Sequence, residues 1–267
     1  MKRRALLTGL IAGGLAGPAR AQSSLVQAPP SMSVLTYHRF HPSASTSATI
    51  VSTPVFASQM AWLAANHVRV APLRESLSLA HGTIVPGPVV GISADDGWRS
   101  VYTEMFPILR QYGFHATLFI NPPAIGQGGA YLTWPMIAEM VKSGFVDVQP
   151  HTLSHPNFNT ERARRDPAAF QAYLDHEIAG SRTAITANLG LRADLLAWPF
   201  GIHDAQLEAA AQKAGFAAAF ALGSSPVVTG SPDFALPRYQ VYETDHEARF
   251  AWLVAGNPRQ HLKKASS

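Results

Sequence analysis

Two adjacent carboxylates, Asp95 and Asp96, stand in the segment Ser93-Ala94-Asp95-Asp96-Gly97, after an apolar run and before a helical pattern. The carboxyl end of a strand is where α/β barrels place catalytic groups, although Asp-Gly is also a common turn pair. His151-Thr152-Leu153-Ser154-His155 follows another strand-like run, and its spacing can bring two imidazoles onto one metal ion. The helical zinc-protease arrangement does not apply, because Glu is absent at 152 and Pro156 disfavours α conformation at His155. A loop or single turn fits better, with two surface histidines as the alternative. Asp96 supplies a candidate third donor, and two His with one carboxylate leave positions open for water and substrate. In Ala197-Trp198-Pro199-Phe200-Gly201, Pro and Gly around Phe200 permit a sharp turn whose backbone N–H would bind a developing oxyanion. An ordinary loop with a packed aromatic pair is the other reading. His38, in Leu35-Thr36-Tyr37-His38-Arg39, is either a proton donor or a hydrogen-bonded strand-end histidine.

The elements needed to position these groups can be read from periodicity and punctuation. Val34–Tyr37 reads as a strand, with residues 41–53 as a surface loop rich in Ser, Thr, Ala and Pro. Thr53 as N-cap with Pro54 at the first helical position opens a helix to about Asn66. His67–Pro72 alternates like a strand and Pro88–Ala94 is a β-branched run of buried-strand type. A helix over Arg99–Tyr112 is stopped by Gly113 and should be kinked or split by Pro107. His115–Ile120 is a strand, Thr133 caps a helix that ends near Gly144, and Phe145–Gln149 is a strand. A long helix over Asp166–Asn188, a strand over Leu195–Trp198, a helix over Asp204–Ala214 and a strand over Phe216–Leu222 follow. Tyr239–Tyr242 and Asp245–Val254 complete the series. Repeated βα units with no second composition regime predict one α/β domain on a parallel sheet or barrel.

Composition narrows the function classes. The 267 residues hold 21 Lys and Arg against 17 Asp and Glu, a formal charge of +4. Four of the basic residues, Lys2, Arg3, Arg4 and Arg20, lie in the first 21 residues, which hold no Asp or Glu, so residues 22–267 carry 17 of each sign. That balance argues against a nucleic-acid partner, which requires a standing excess of positive charge. The absence of Cys excludes disulfides, thiolate nucleophiles and Cys-type zinc sites. Gly91-Ile92-Ser93-Ala94-Asp95 lacks the second Gly of a serine-hydrolase nucleophile elbow. Met1–Arg4, the apolar run Ala5–Ala16 and Ala19-Arg20-Ala21 have the form of a signal peptide with cleavage before Gln22, and Arg3-Arg4 gives it twin-arginine character. About 12 apolar residues fall short of the roughly 20 that span a bilayer. The expectation is therefore a signal peptide at 1–21, a tether at 22–33, a domain at 34–267, and an exported, periplasmic or extracellular protein with no transmembrane anchor after cleavage.

Taken together, these segments resemble the polysaccharide deacetylases of carbohydrate esterase family 4, the NodB-type domain, over roughly residues 34–243. The family's T-F-D-D-G segment stands here as Ser93–Gly97, and its H-[ST]-x-x-H segment is intact as His151–His155. Tyr37-His38-Arg39 and Leu236-Pro237-Arg238-Tyr239 look like the exported poly-β-1,6-N-acetylglucosamine N-deacetylase branch, in which the motifs are circularly permuted. The resemblance implies a single deformed (β/α)7-type barrel with its site at the carboxyl ends of the strands. It implies Asp95 as base, Asp96, His151 and His155 as ligands of a divalent ion, with Zn²⁺ first and Co²⁺ or Ni²⁺ as alternatives, and His38 as general acid. The Phe200 N–H would serve as oxyanion donor, flanked by Pro199 and Gly201. The third motif, R-x-P-[YF]-G, has Ala197 where the family has an Arg that orients the base, and Arg238 is the candidate substitute. The implied partner is an N-acetylated glycan, a poly-N-acetylglucosamine-like polymer, from which acetate is released. O-acetyl xylan, chitin and peptidoglycan are alternative substrates, and a noncatalytic glycan-binding protein is the alternative class. Trp98 and Trp198 are candidate sugar-stacking surfaces, Trp198 also reading as a core residue. The remaining histidines have no usable partner spacing and read as surface or structural.

Overall fold

The structure, a computed structural model, describes residues 30–83 and 87–257. The expected signal peptide and residues 22–29 of the expected tether lie outside the described residues. In chain order the elements are β1 (Ser31–Tyr37), β2 (Arg39–His41), β3 (Ile50–Ser52), α1 (Thr53–Ala65), β4 (Arg69–Val70), α2 (Glu75–Ala80) and β5 (Val89–Asp95). A π-helical turn, Val101–Met105, leads into α3 (Phe106–Tyr112), followed by β6 (Ala116–Ile120), α4 (Trp134–Lys142), β7 (Val146–Pro150), α5 (Phe158–Ala163) and α6 (Pro167–Leu189). The chain continues through β8 (Leu195–Ala197), α7 (Ala205–Lys213), β9 (Ala218–Gly223), β10 (Val227–Val228), β11 (Leu236–Gln240) and α8 (Glu247–Val254).

Seven strands form one parallel path in the order β7-β6-β5-β1-β11-β9-β8. Side chains alternate strictly across it. Val89 of β5, Leu195 and Ala197 of β8, and Ala218 and Phe220 of β9 belong to one interior cluster with Met32, Val34, Leu73 and Phe119. Their neighbours Val90, Ile92 and Ala94 face outward into a cluster with α1, α3 and α4, while Leu196, Ala219 and Ala221 face one built on α6 and α7. Such period-two alternation on a sheet covered by helices is what closes a barrel around a packed centre. Gly91 points inward where a Cβ would meet Met32 Cε at 2.6 Å and Leu73 Cδ1 at 2.9 Å, so a larger residue there would have to displace both side-chain tips. The α6 helix buries Phe170, Leu174, Ile178 and Ile185 along one face, each such side chain being worth about 1.5–3 kcal/mol of transfer free energy.

The ends of the path, β7 and β8, are brought together by side chains instead of a backbone ladder. Gln149 Oε1 accepts from the N–H groups of Asp194 and Leu195 at 3.0 and 2.9 Å. His151 Nδ1 lies 2.8 Å from the Ala197 carbonyl. Each contact satisfies a buried polar group that an unpaired strand edge would otherwise leave stranded.

Several local expectations change. The N-cap of α1 is Ser52, whose Oγ accepts from the Val55 N–H; Thr53 instead donates its hydroxyl to Glu104. The expected loop at 41–53 contains β3, which pairs in parallel with β2, its β-branched Ile50-Val51 outweighing the surrounding Ser and Thr. β1 begins at Ser31, so residues 31–33 of the expected tether belong to a strand. The segment expected at Tyr239–Tyr242 is displaced toward the amino terminus: β11 runs from Leu236 to Gln240 and places Arg238 inside the sheet. Pro107 divides its segment as expected, into the π-helical turn and α3, and Gly113 in the left-handed region stops it.

Candidate active site

β5 delivers its last inward residues, Ser93 and Asp95, to the carboxyl end of the barrel, and both are buried. The chain then turns through Asp96 and Gly97, with φ of 73° and 77°. Asp tolerates the left-handed region better than most residues, and the turn places the neighbouring carboxylates differently. Asp95 stays in the interior and Asp96 is half-buried at the rim.

Opposite, β7 ends at Pro150 and the histidine segment crosses the barrel mouth. The His151 N–H donates to the Ile120 carbonyl at 2.7 Å, extending the register of β7 with β6. Thr152 and His155 both have φ of 60°. Of the six described non-glycine residues with positive φ, four are Asp96, Thr152, His155 and Phe200; such conformations cost about 1–3 kcal/mol each and persist only where surrounding contacts enforce them. One enforcing contact is Glu177 of α6. Its buried carboxylate accepts from the Ser154 N–H at 2.8 Å and from the Ser154 Oγ–H at 2.6 Å, and its carbonyl accepts from the Leu153 N–H.

Ligand atoms of Asp96, His151 and His155 all lie within 4.8 Å of one another. Asp96 Oδ1 is 3.8 Å from His151 Nε2 and 3.4 Å from His155 Nε2. Donors about 2.1 Å from a tetrahedral ion stand about 3.4 Å apart, so the spacing fits a small divalent cation. The protonation pattern fits too. A carbonyl can only accept, so His151 carries its proton on Nδ1, bonded to Ala197, and presents the Nε2 lone pair to the trio. Burial pushes the His151 pKa down to about 4 against the opposing pull of Asp95, which keeps the ring neutral near pH 7, as a ligand requires. Trp98 donates its indole N–H to Asp96 Oδ2 at 3.0 Å, leaving Oδ1 turned toward the histidines. Two nitrogens and one carboxylate oxygen could hold a metal ion with positions left open.

Asp95 lies beside this trio, with Oδ2 3.7 Å from His151 Nε2. Arg238, fully buried, grips it at two points, Nη1 to Oδ1 at 2.8 Å and Nη2 to Oδ2 at 2.9 Å. Burial would raise the Asp95 pKa, but Arg238 and then His151 and His38 overcome it and hold the carboxyl at about 2. The carboxylate is therefore ionised across the physiological range. His38 follows Tyr37, the register partner of Ala94, and is half-buried on the rim beside Asp95. Across the mouth, Phe200 has φ 59° and its ring centroid is 4.8 Å from that of His155. Its ring is 57% exposed. Gly201 follows at φ 70°, where a Cβ would strike the Leu222 backbone nitrogen at 2.9 Å, so this turn closes only with glycine.

The structure thus brings Asp95, Asp96, His151, His155, His38, Phe200 and Arg238 to one end of the barrel. Trp198 is a core residue instead, fully buried with its N–H on the Phe234 carbonyl. Trp98 stacks on Tyr131 at 4.6 Å with the Arg39 guanidinium 4.3 Å from its centroid, so its ring faces are already engaged. Sequence reasoning passed over Glu177 and Gln149. Neither has a local signal, because each acts on a segment remote in the chain.

Comparison with known proteins gives the same picture. The polysaccharide deacetylase family model matches residues 83–219, a span that includes Asp95, Asp96, His151, His155 and Phe200 and excludes His38 and Arg238. The poly-β-1,6-N-acetyl-D-glucosamine N-deacetylase of Staphylococcus aureus (strain MRSA252) is 25% identical over 201 residues, covering 74% of this chain and 69% of the relative. The solved structure of IcaB from Ammonifex degensii superposes with a TM-score of 0.72 at 26% identity, over 84% of this chain and 97% of that one. The Streptococcus pyogenes deacetylase PplD, solved with acetate, has the same fold, with a TM-score of 0.75 at 19% identity over 85% and 99% of the two chains. The barrel, its mouth and the matched span agree that the chain belongs to the polysaccharide deacetylase family.

Proposed function

We propose that the protein hydrolyses N-acetyl groups on an amino-sugar polymer of the poly-N-acetylglucosamine type, releasing acetate and leaving free amines. The observation that carries this reading is the ionised Asp95, gripped at two points by Arg238 and set beside the Asp96, His151 and His155 trio. Those three residues would hold a divalent ion, with Zn²⁺ the first choice for two imidazoles and a carboxylate. Such an ion lowers the pKa of a bound water and polarises the acetamide carbonyl.

The remaining chemistry falls to the chain. Asp95 takes a proton from the attacking water, its orientation fixed by the Arg238 fork. The Phe200 N–H, in a left-handed turn at the mouth, would donate to the oxygen that gains charge as the carbonyl becomes tetrahedral. His38, on the rim beside Asp95, gives a proton to the departing nitrogen. Ala197, where the family carries an arginine, is the residue that would have favoured a noncatalytic glycan binder. Arg238 supplies the missing guanidinium from another strand, and the catalytic reading is preferred for that reason.

The relatives named poly-β-1,6-N-acetyl-D-glucosamine N-deacetylase support a β-1,6-linked polymer as substrate. The export signal in the sequence supports action outside the cytoplasm, and no helix among the described residues is long and apolar enough to cross a membrane. The test is acetate release from β-1,6-linked N-acetylglucosamine oligomers, chitin oligomers, peptidoglycan and acetyl xylan, with elemental analysis of wild type, Asp95→Asn and His151→Ala. Wild type should release acetate from the β-1,6 oligomers, Asp95→Asn should keep the metal and lose turnover, and His151→Ala should lose both. Activity confined to acetyl xylan, or undiminished turnover in Asp95→Asn, would overturn the reading.

A further inference from the structure

The end of β6 lies between the two halves of the site. It pairs with β5 on one side, Asp95 opposite Phe119, and with β7 on the other, Ile120 opposite Pro150. Asp95 Oδ2 and His151 Nε2 approach to 3.7 Å, so side chains from the two flanking strands meet across the end of β6. The residue that stands there is Asn121. Its backbone is still extended, with φ −97° and ψ 105°. The alternation that puts Phe119 in the interior cluster and Leu118 and Ile120 in the outer one therefore carries Asn121 inward. Asn121 follows the residue whose carbonyl accepts the His151 N–H at 2.7 Å, which sets it one strand spacing, about 4.8 Å, from His151.

Nothing in the fold uses this carboxamide. Its Oδ1 is buried and accepts no hydrogen bond, and neither end of the amide is bonded among the described residues. Asparagine is a favoured helix N-cap, and Asn121 precedes the 3₁₀ turn Pro122–Ala124, yet its side chain makes no capping bond. Pro122 and Pro123 have no N–H to offer, and the Ala124 N–H goes to the Asn121 backbone carbonyl at 3.0 Å. Other acceptors of the site are engaged: both Asp95 oxygens by Arg238, Asp96 Oδ2 by Trp98, and the Ala197 carbonyl by His151. A buried acceptor without a donor costs stability, and its place beside reacting groups points to a donor that arrives with the reaction. The terminal torsion of asparagine is soft, and no bond holds the amide in its resting orientation, so Oδ1 is free to turn toward the mouth.

We propose that Asn121 positions the attacking water, its Oδ1 accepting a hydrogen bond from the O–H whose proton Asp95 does not take. The inference rests on the deacetylase reading of the site. As the water oxygen forms its bond to the acetyl carbon, one proton passes to Asp95 and the other stays on that oxygen, hydrogen-bonded to Asn121. Two acceptors, one charged and one neutral, then fix the direction of the attacking lone pair.

The test is Asn121→Leu, which has nearly the same shape and no polar side-chain atom, with Asn121→Gln as the variant that keeps a carboxamide. Misplacing a reacting group by an ångström costs about 10²-fold. For acetate release from β-1,6-linked N-acetylglucosamine oligomers, kcat should therefore fall about 10²-fold in Asn121→Leu, with KM within about threefold of wild type. Bound metal, by elemental analysis, should be unchanged, and Asn121→Gln should retain part of the turnover. The metal-free proteins give a second readout. Leucine removes a stranded polar atom, so Asn121→Leu should melt about 2–4 °C above wild type, the reverse of what a structural asparagine predicts. Unchanged kcat in Asn121→Leu, loss of metal together with turnover, or a lower melting temperature would each overturn the inference. Absence of acetate release by wild type from every glycan tested is a different failure, which would sink the deacetylase reading and the water role with it.

Discussion

The two halves of the site are held by different means. Asp95 ends, and Asp96 directly follows, a strand that lies in the middle of the parallel path, paired with β1 on one side and β6 on the other. Their backbone is set by the ladder and the turn that leaves it, and the critical side-chain contact, Arg238 to Asp95, balances a buried charge. His151 and His155 stand over the seam where β7 meets β8, and there side chains perform the work that backbone performs elsewhere. Gln149 ties the seam, the Ala197 carbonyl orients His151, and Glu177 grips Ser154 between the two histidines. Damage to the first half should therefore appear as uncompensated charge with the ligand trio intact, whereas damage to the second should loosen the trio itself.

Arg238→Met tests the first half and carries the largest expected effect. Removing one partner of a buried pair typically costs about 3–5 kcal/mol, read as a lower melting temperature or denaturant midpoint. Turnover should fall steeply, while metal affinity should stay within a few-fold of wild type because no ligand touches Arg238. The acid limb offers a second readout in metal-free protein. The folded-state pKa of Asp95, about 2, is below its ordinary 3.8. The pair therefore stabilises the fold above the ordinary value, and that contribution disappears as pH falls toward 2. Without the guanidinium, burial is opposed only by the weaker histidine contributions, and acid unfolding should begin at higher pH. Loss of metal in this variant would break the proposed division between the halves.

Gln149→Leu comes next, since it strands the N–H groups of Asp194 and Leu195 at the seam. Each buried donor left unsatisfied costs about 1–3 kcal/mol, partly recovered where water enters the seam. Here both stability and metal affinity should fall together, as chelator competition would register. An unchanged metal affinity would show that the seam does not govern the ligands. Glu177→Ala should be gentler on stability and more selective for the metal. Loss of supporting contacts around a metal site typically costs 10–100-fold in affinity, and excess metal should restore turnover. Glu177→Gln, which keeps one acceptor oxygen, should fall between the two.

The unequal visibility of these residues in the sequence follows from the same division. Most strands and helices and the two motif segments could be read because apolar periodicity, Thr133, Asp166 and Gly113 act on their immediate neighbours. Asp96, His151 and His155 were visible because metal chemistry leaves few residue types to consider. Arg238 was reachable only as a replacement for the arginine missing at Ala197, since its 143-residue separation from Asp95 has no local trace. Glu177 and Gln149 were not legible at all. A glutamate in a long helix and a glutamine in a strand look ordinary until the fold brings Ser154 and Asp194 against them. Short elements such as β3 and α5 were missed because too few residues carry their periodicity.

Trp98→Phe makes the smallest and most discriminating change. Phenylalanine keeps an aromatic ring for Tyr131 and Arg39 but removes the N–H that holds Asp96 Oδ2 at 3.0 Å. Asp96 belongs to the ladder half by its backbone and to the ligand trio by its side chain, so it is the point at which the two halves meet. If backbone pairing alone fixes its carboxylate, metal affinity should be unchanged. If the indole selects which oxygen faces the histidines, affinity should drop by about tenfold, the lower end expected for an outer-shell hydrogen bond, with stability altered by less than about 1 kcal/mol. We expect the second outcome. The turn at Asp96 and Gly97 fixes where the carboxylate begins but leaves its side-chain torsions free, and the Trp98 N–H is the contact that restrains them.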